Sequence, residues 1–294
     1  MVDADLPDAD VVIATWWETA EWVARLSASK GKKAYFVQGH EVFPFLPQDR
    51  CRATYHLPLA KIVVSKWLAD IMASAYGDHG AQVVLNGVDH QQFFAPERGR
   101  QARPTVGFIF STSDVKGGDL ALDVVRRLRQ RQPGLRLLSF STQSFPAAAS
   151  LGIEFHHSPP QDRLRALYAQ CDVWLSTSRS EGFNLPAMEA MACRTPVVST
   201  RTGWPVHGIV EGVNGRLADV DDVAGLVEAV EKVLMQNDAQ WRAMSAAAFR
   251  TVTDATWERS TEAFEHALQR IVAGAGESGS LGAAAARMPN GRAG

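Results

Sequence analysis

Short runs of apolar residues alternate with stretches of helical periodicity along most of the chain. The apolar runs are rich in β-branched residues and lack polar alternation, which is typical of strands buried on both faces of a parallel sheet. They predict strands at residues 11–15, 33–38, 62–65, 83–87, 105–111, 135–140, 173–178 and 196–200. Helices are expected at residues 16–28, 66–76, 118–132, 162–170, 185–192, 222–234 and 255–273. Repeated strand–helix–strand order predicts doubly wound α/β units.

A break in this pattern divides the chain. Residues 93–104 (FFAPERGRQARP) contain two prolines and three arginines and have no apolar period, so they are interpreted as a linker. The N-terminal unit offers only about four strands, fewer than a complete doubly wound domain usually has, and is expected to be incomplete or N-terminally shortened. The tail over residues 273–294 is rich in Gly, Ala and Ser, and we expect it to be disordered.

The composition excludes several classes of protein. Hydrophobic residues make up 46% and charged residues 21% of 294, and the net charge of −2 argues against nucleic-acid binding. The three cysteines are far apart and form no CxxC, which predicts free thiols in a reducing cytosol. Neither a signal-peptide pattern nor an apolar run of about 20 residues is present. A cytoplasmic location is expected, and peripheral contact with the inner membrane stays open.

The strongest chemical signal lies in residues 178–200 (SRSEGFNLPAMEAMACRTPVVST). This string follows a predicted strand and begins a helix, and the free N–H groups of such a helix start form an anion site. Gly182 lets the backbone approach a ligand closely. Glu181 and Glu189 both can face the crevice, where carboxylates are suited to hold the hydroxyl groups of a ribose or a sugar. The alternative is an ordinary helix with one acid at its positive end and another on its solvent face.

Residues 180–198 resemble the E-x7-E signature of the retaining glycosyltransferases of family 4. Three further segments resemble the same family: NGVDHQQFF (86–94), LYAQCDVWLSTSRSEGF (167–183) and GIVEGVNGRLADVDDVAGLVEAV (208–230). The resemblance covers about residues 33–272. It implies the GT-B fold, in which two Rossmann-like halves face a cleft. It also implies retaining transfer from a nucleotide sugar to a carbohydrate or lipid-linked acceptor, as in polysaccharide synthesis.

The resemblance also implies domain limits. We expect an acceptor-side domain over residues 1–93, a linker over 94–104 and a donor-binding domain over 105–256. A final helix over 257–272 is expected to pack back on the N-terminal half, as in the family.

The resemblance assigns roles to individual residues. Glu181 would contact the donor sugar, and Glu189 would hold the ribose hydroxyls. The backbone around Gly182, and that of Phe183, Asn184 and Leu185, would meet the diphosphate. Lys116 would neutralise the phosphates, a role that suits the charge developing on a nucleoside diphosphate leaving group, and the turn at Gly117 begins a second helix at the site.

His40 matches a histidine that faces the donor sugar in the family, although Gln38 is an alternative for that position, and Glu41 is a weaker candidate. Two features of the donor half differ from the pattern of the family. The stretch FIFSTSDVKG (108–117) lacks the arginine that often precedes the family's lysine, and His207 stands where an acid is common. No role is inferred for His207.

Metal chemistry is not expected, because the sequence has no H-x-x-x-H and the E-x7-E segment (181–189) has no carboxylate cluster with ligand spacing. The nucleotide sugar would be a substrate, and no cofactor is predicted. Two alternatives remain: a nucleotide-sugar 2-epimerase of the same architecture, and a truncated relative that binds nucleotide without turnover. A dehydrogenase is disfavoured because no G-x-G-x-x-G follows a strand.

Overall fold

The computed structural model describes residues 1–274, which form two parallel sheets covered by helices. The first sheet has four strands in the order β1-β2-β3-β4. These strands are β1 (Val11–Ala14), β2 (Lys32–Val37), β3 (Ala60–Val63) and β4 (Gln82–Val83). All of the pairings are parallel, so the carboxyl ends of the strands lie at one edge of the sheet.

The second sheet has six parallel strands in the order β10-β9-β8-β5-β6-β7. Its strands are β5 (Thr105–Ile109), β6 (Arg136–Ser141), β7 (Ile153–His157), β8 (Val173–Ser176), β9 (Val197–Thr200) and β10 (Gly215–Ala218). The strand order reverses direction beside β5, which pairs with both β6 and β8. Ligands bind at such a switch point, outside the carboxyl ends of the strands.

Ten α-helices lie in residues 1–274. They are α1 (Trp17–Arg25), α2 (Gln48–Thr54), α3 (Lys66–Tyr76), α4 (Gly118–Arg131), α5 (Gln161–Ala169), α6 (Leu185–Ala192), α7 (Pro205–Gly208), α8 (Val223–Leu234), α9 (Asp238–Val252) and α10 (Trp257–Val272). None of the helices in this described part is long and apolar enough to cross a membrane.

The two α/β halves predicted from the sequence are present, and together they give the GT-B-like architecture. The pattern missed β7 and β10, both at sheet edges, because their partly exposed residues do not form a continuous apolar run. It also missed α2, α7 and α9. Helix α9 is rich in alanine and therefore shows only a weak amphipathic period.

The last helix lies against the four-stranded sheet. Ala267 and Ile271 of α10 pack with Ala34 and Ile62, and the ring of Phe264 meets Phe36 edge-on at 5.1 Å between centroids. The chain therefore returns to its N-terminal half after completing the second sheet. The tail expected to be disordered lies outside the described residues, apart from its first two positions.

The two segments that cross between the halves lie side by side. The N–H of Val88 donates to the carbonyl of Ala255 at 2.9 Å. Gly87 packs so closely against the backbone at Thr256 that a Cβ would overlap it. One apolar cluster also includes buried residues from both halves, such as Leu68, Met72, Phe183 and Trp204. The halves are thus joined by packing as well as by the chain.

A buried carboxyl group lies beneath the carboxyl edge of the first sheet. Glu41 is only 3% exposed, and its Oε2 accepts the N–H of Trp17 at 2.8 Å and the hydroxyl of Tyr35 at 2.9 Å. Burial raises the pKa of Glu41 to about 7, and the two hydrogen bonds oppose that rise only in part. The segment that follows β2 is thereby tied to the first turn of α1.

This pKa predicts a pH dependence of stability. The unfolded carboxyl ionises near pH 4.5, whereas the folded one keeps its proton up to about pH 7. Its contribution is therefore fully present below pH 4.5 and is lost as the pH rises through 7. We expect Glu41→Gln to flatten the fall in unfolding free energy between pH 5 and 8 by as much as about 3 kcal/mol, at 1.36 kcal/mol per pKa unit.

Urea denaturation at four pH values measures this effect. Glu18→Gln, which changes an exposed carboxylate on α1, is the matched control and should keep the wild-type slope. Equal slopes for wild type and Glu41→Gln would contradict the assignment.

Candidate active site

A cavity of about 330 Å³ opens at the carboxyl edge of the six-stranded sheet, near the switch point beside β5. Its apolar lining includes Phe140, Pro159, Leu164, Trp174 and Pro186. Its polar lining includes Ser111, Ser141, Gln143, Ser158 and Ser176, together with Lys116 and Glu181. A pocket with an apolar wall and a few converging polar groups is the usual form of a small-molecule site.

The turn that carries Lys116 is built on two glycines. Gly117 has a left-handed backbone with φ of 60°, and a Cβ there would overlap the carbonyl oxygen of Thr177. A Cβ at Gly118 would overlap the carbonyl oxygen of Ser111. The hydroxyl of Thr177 also donates to the carbonyl of Gly117 at 2.8 Å. The start of α4 is thus packed directly against the end of β8.

Arg179 holds this turn to the segment after β8. Its guanidinium forms a two-pronged contact with the carboxylate of Asp119, at 2.9 and 2.7 Å, and a third bond with Asp221 at 2.7 Å. These carboxylates raise the pKa of Arg179 still further, so it stays charged. Because its guanidinium is bonded to these carboxylates, Arg179 links α4 to the loop that follows β8.

This packing brings Lys116 and Glu181 together. The Nζ of Lys116 lies 2.8 and 2.9 Å from the two carboxylate oxygens of Glu181, and the hydroxyl of Ser178 donates to the same carboxylate at 2.7 Å. The side chain of Lys116 is 50% exposed and that of Glu181 is 11% exposed. A cation and a carboxylate from distant parts of the sequence therefore meet at the wall of the cavity.

The N-terminus of α6 lies beside this pair. Asn184 is its N-cap and has a left-handed backbone with φ of 83°. Its amide donates to Ser176 at 2.8 Å, which fixes the residue, and its side-chain oxygen accepts the N–H of Ala187 at 3.4 Å. Asn184 and Pro186 both line the cavity. The positive end of the α6 dipole is thus directed at the same region as the ammonium of Lys116.

Glu189 lies on the next turn of α6. Its Oε2 accepts the hydroxyl of Tyr168 at 2.6 Å, and burial raises the pKa of the carboxyl group. With Leu185 it lines a second cavity of about 250 Å³, which Gln92 and Trp257 also border. The structure therefore brings Lys116, Glu181 and Asn184 to one cavity and places Glu189 and Leu185 at another.

The remaining predicted residues are placed differently. Phe183 is buried and stacks on Trp204 with ring centroids 6.0 Å apart. Gly182 lies beside the end of the first sheet, where a Cβ would overlap the carbonyl oxygen of Gln38. Gly182 is thus needed for contact between the two halves, whether or not it also approaches a ligand.

His40 lies in an aromatic cluster of the N-terminal half. Its Nε2 is 2.7 Å from the hydroxyl of Tyr76, and its ring stacks on Tyr55 at 5.7 Å. Burial lowers the pKa of the imidazole, which favours the neutral form. The structure does not bring its ring to the cavity of Lys116 and Glu181, so its catalytic role stays a prediction.

Sequence reasoning missed much of the cavity wall. Phe140 and Trp174 come from strand interiors, where apolar residues signal only a core. Ser158 has an unusual left-handed backbone, with φ of 47°, and its N–H donates to Ser141 at 2.7 Å. The serines and threonines at the end of β6 (SFSTQS) were the one available signal, since polar residues directly after a buried strand lie at the ligand-binding edge.

No group of three or more His, Cys, Asp or Glu side chains in residues 1–274 is arranged to hold a metal ion. Lys116 and the N-terminus of α6 bring positive charge to the cavity.

Comparison with known proteins matches the C-terminal half of the chain to a known family. The family model described as "Glycosyl transferases group 1" matches residues 103–236. The D-inositol 3-phosphate glycosyltransferase of Mycobacterium marinum is 31% identical over 214 residues, which are 65% of this chain and 45% of that protein. The corresponding protein of Mycobacterium bovis is 30% identical over 223 residues, again 45% of its length. The matched region thus spans less than half the length of these curated relatives.

Solved structures share the whole architecture at low sequence identity. TarM has a TM-score of 0.74 at 14% identity, and the match covers 89% of this chain and 56% of that one. Sucrose-phosphate synthase from Thermosynechococcus elongatus has a TM-score of 0.73 at 17% identity, with 90% and 74% covered. Anabaena HepE in complex with UDP and glucose has a TM-score of 0.72 at 18% identity, with 88% and 78% covered.

These likenesses establish the fold that the two sheets suggest, and the family match rests on the half that contains Lys116, Glu181 and Glu189. Residues 103–236 thus match the group 1 glycosyltransferases, and the chain has a GT-B-like fold.

Proposed function

We propose that this chain binds a nucleoside diphosphate sugar at the cavity of the six-stranded sheet and transfers the sugar, with retention, to a carbohydrate or lipid-linked acceptor. The observation that carries the proposal is the convergence of Lys116, Glu181 and the N-terminus of α6 at one cavity wall. An ammonium group and a helix N-terminus suit a diphosphate, and a carboxylate beside them suits the hydroxyl groups of a sugar.

Sugar transfer requires the site to stabilise negative charge on the departing nucleoside diphosphate. When the bond between the anomeric carbon and the diphosphate oxygen breaks, the electron pair leaves with the nucleoside diphosphate. A new bond forms between the anomeric carbon and the acceptor oxygen, whose proton is released. Lys116 would donate to the departing phosphate oxygens, and the free N–H groups at the starts of α4 and α6 would add fixed partial positive charge.

Glu181 would turn from Lys116 to the sugar when the donor binds. In the structure its carboxylate accepts from both Lys116 and Ser178. A diphosphate at Lys116 competes for the ammonium group, which frees carboxylate lone pairs for sugar hydroxyls. Ser178 would stay bonded to one carboxylate oxygen during this exchange.

Glu189 would hold the ribose from the second cavity. It lies about one turn along α6 from the start of that helix. The hydroxyl of Tyr168 occupies one carboxylate oxygen of Glu189, and the other is available to a ribose hydroxyl. Tyr168 would thus orient the ribose ligand without touching the ribose.

The structural neighbours suggest which donor to test first. Anabaena HepE has been solved with UDP and with UDP-glucose. We propose a uridine nucleotide as the first candidate for this chain, with the donor sugar and acceptor to be found by assay. Synthesis of a cell-surface polysaccharide is the proposed setting.

Lys116→Met tests the proposed site directly. We expect wild type to bind at least one of UDP, GDP, dTDP and ADP in isothermal titration calorimetry. Loss of a charge-assisted hydrogen bond should weaken that binding about tenfold, which corresponds to 1.4 kcal/mol. Lys232→Met is the matched control, because Lys232 is 46% exposed and forms an ion pair with Glu228 on α8, away from the cavity.

If the wild type binds none of the four diphosphates, the proposal is wrong. Transfer of labelled sugar to a cell extract then tests turnover. A new sugar isomer formed from the donor alone would instead indicate a 2-epimerase, and binding without either product would indicate a non-catalytic nucleotide-binding protein.

Glu181→Gln separates binding of the diphosphate from transfer of the sugar. The substitution removes both the competitor for Lys116 and a negative charge beside the phosphates. We expect the free nucleoside diphosphate to bind about two- to fivefold more tightly, since a partly exposed ion pair is worth up to about 1 kcal/mol. Sugar transfer should fall at the same time, because the sugar loses its carboxylate partner.

Calorimetry and a transfer assay on one preparation measure both quantities. Ser178→Ala is the companion variant and should leave diphosphate affinity within about twofold of wild type. Weaker diphosphate binding by Glu181→Gln would show that Glu181 does not compete for Lys116.

A further inference from the structure

One hydroxyl group links the two halves at the candidate site. Ser65 follows β3, is fully buried, and is the N-cap of α3. Its Oγ accepts the N–H of Leu68 at 3.2 Å and donates to the carbonyl of Gly182 at 2.7 Å. The same side chain therefore caps a helix of the N-terminal half and binds the loop that carries Glu181 in the C-terminal half.

Gly182 has a second contact with the N-terminal half. The position of a Cβ at Gly182 is occupied by the carbonyl oxygen of Gln38, and the Cα of Gly39 lies 3.2 Å from it. Gly182 is thus in contact with both the segment following β2 and the N-terminus of α3. Two such contacts at one residue restrict the rotation of the peptide group that follows it.

The orientation of this peptide has a consequence for ligand binding. In a planar trans peptide the carbonyl and the following N–H point in opposite directions. The bond from Ser65 to the Gly182 carbonyl therefore directs the N–H of Phe183 away from Ser65. It also fixes the backbone on the C-terminal side of Glu181, directly before the N-cap Asn184.

We propose that Ser65 is a positioning residue for the donor site: it orients the Gly182 peptide, and through it Glu181 and the start of α6, without touching the donor. The proposal rests on the proposed function, since it assigns an effect on nucleotide binding. It makes the N-terminal half a structural part of the donor site as well as the acceptor side of the cleft.

Helix capping alone is the competing explanation for Ser65, and two variants separate the roles. Glycine is a good N-cap residue and costs a helix only a few tenths of a kcal/mol relative to serine, but it has no hydroxyl to donate. Ser65→Gly therefore removes the bond to Gly182 with little damage to α3. Ser65→Thr retains a hydroxyl that can serve both partners.

The first readout uses the protein without nucleotide. Hydrogen–deuterium exchange should show faster exchange of the amides of residues 182–187, apart from Pro186, in Ser65→Gly than in wild type, and Ser65→Thr should restore slow exchange. Asn237→Gly, which removes the N-cap of α9 far from the loop, is the control and should leave these amides unchanged. Unchanged exchange of residues 182–187 in Ser65→Gly would overturn the structural part of the proposal.

The second readout is calorimetric affinity for the nucleoside diphosphate that wild type binds. We expect Ser65→Gly to weaken binding about fivefold, and Ser65→Thr and Asn237→Gly to stay within about twofold of wild type. Faster exchange with unchanged affinity would overturn the positioning role while leaving the proposed function intact. Wild type that binds no nucleoside diphosphate would overturn both.

Discussion

The close approach of the Gln38 carbonyl to Gly182 is the constraint on which the candidate site depends. It brings the carboxyl edge of the four-stranded sheet against the loop after β8, and only a residue without a Cβ fits there. Glu181 precedes this glycine and Asn184 begins the helix two residues after it. The position of the loop is therefore set jointly by both halves, and so is the geometry of the groups that line the cavity.

The two basic side chains at the site, Arg179 and Lys116, have different roles. Arg179 is fully engaged with Asp119 and Asp221, and it holds the α4 turn to the loop after β8. Lys116, on the same turn, is half exposed and bonded to Glu181, so it can exchange partners at little cost. A structural arginine thus lies beside a half-exposed lysine, which is the arrangement expected where a charged ligand enters and leaves.

Most of the fold could be predicted from the sequence because parallel strands buried on both faces read as continuous apolar runs. All eight predicted strands are present, whereas the edge strands β7 and β10 were missed because edge positions are partly exposed. The pairing of Lys116 with Glu181 spans 65 residues, and only the resemblance to a family placed both at one site. The roles given to the two residues stay predictions.

Other parts of the site had no sequence signal at all. The bond of Tyr168 to Glu189 depends on the angle at which α5 and α6 pack, and the bond of Ser65 to Gly182 depends on how the halves meet. For His40 the motif position suggested a role at the cleft, and the structure packs its ring against Tyr55 and Tyr76; the catalytic role stays a prediction. Contacts between distant segments decide such details, and no local pattern encodes them.

The measurement that tests the central claim most directly is a crystal structure of the chain with the nucleoside diphosphate that it binds most tightly. The account predicts density for the diphosphate within hydrogen-bonding distance of the Nζ of Lys116 and at the N-terminus of α6, with the Glu181 carboxylate released from Lys116. Density for the nucleotide elsewhere, or an unchanged Lys116–Glu181 pair beside a bound nucleotide, would contradict it.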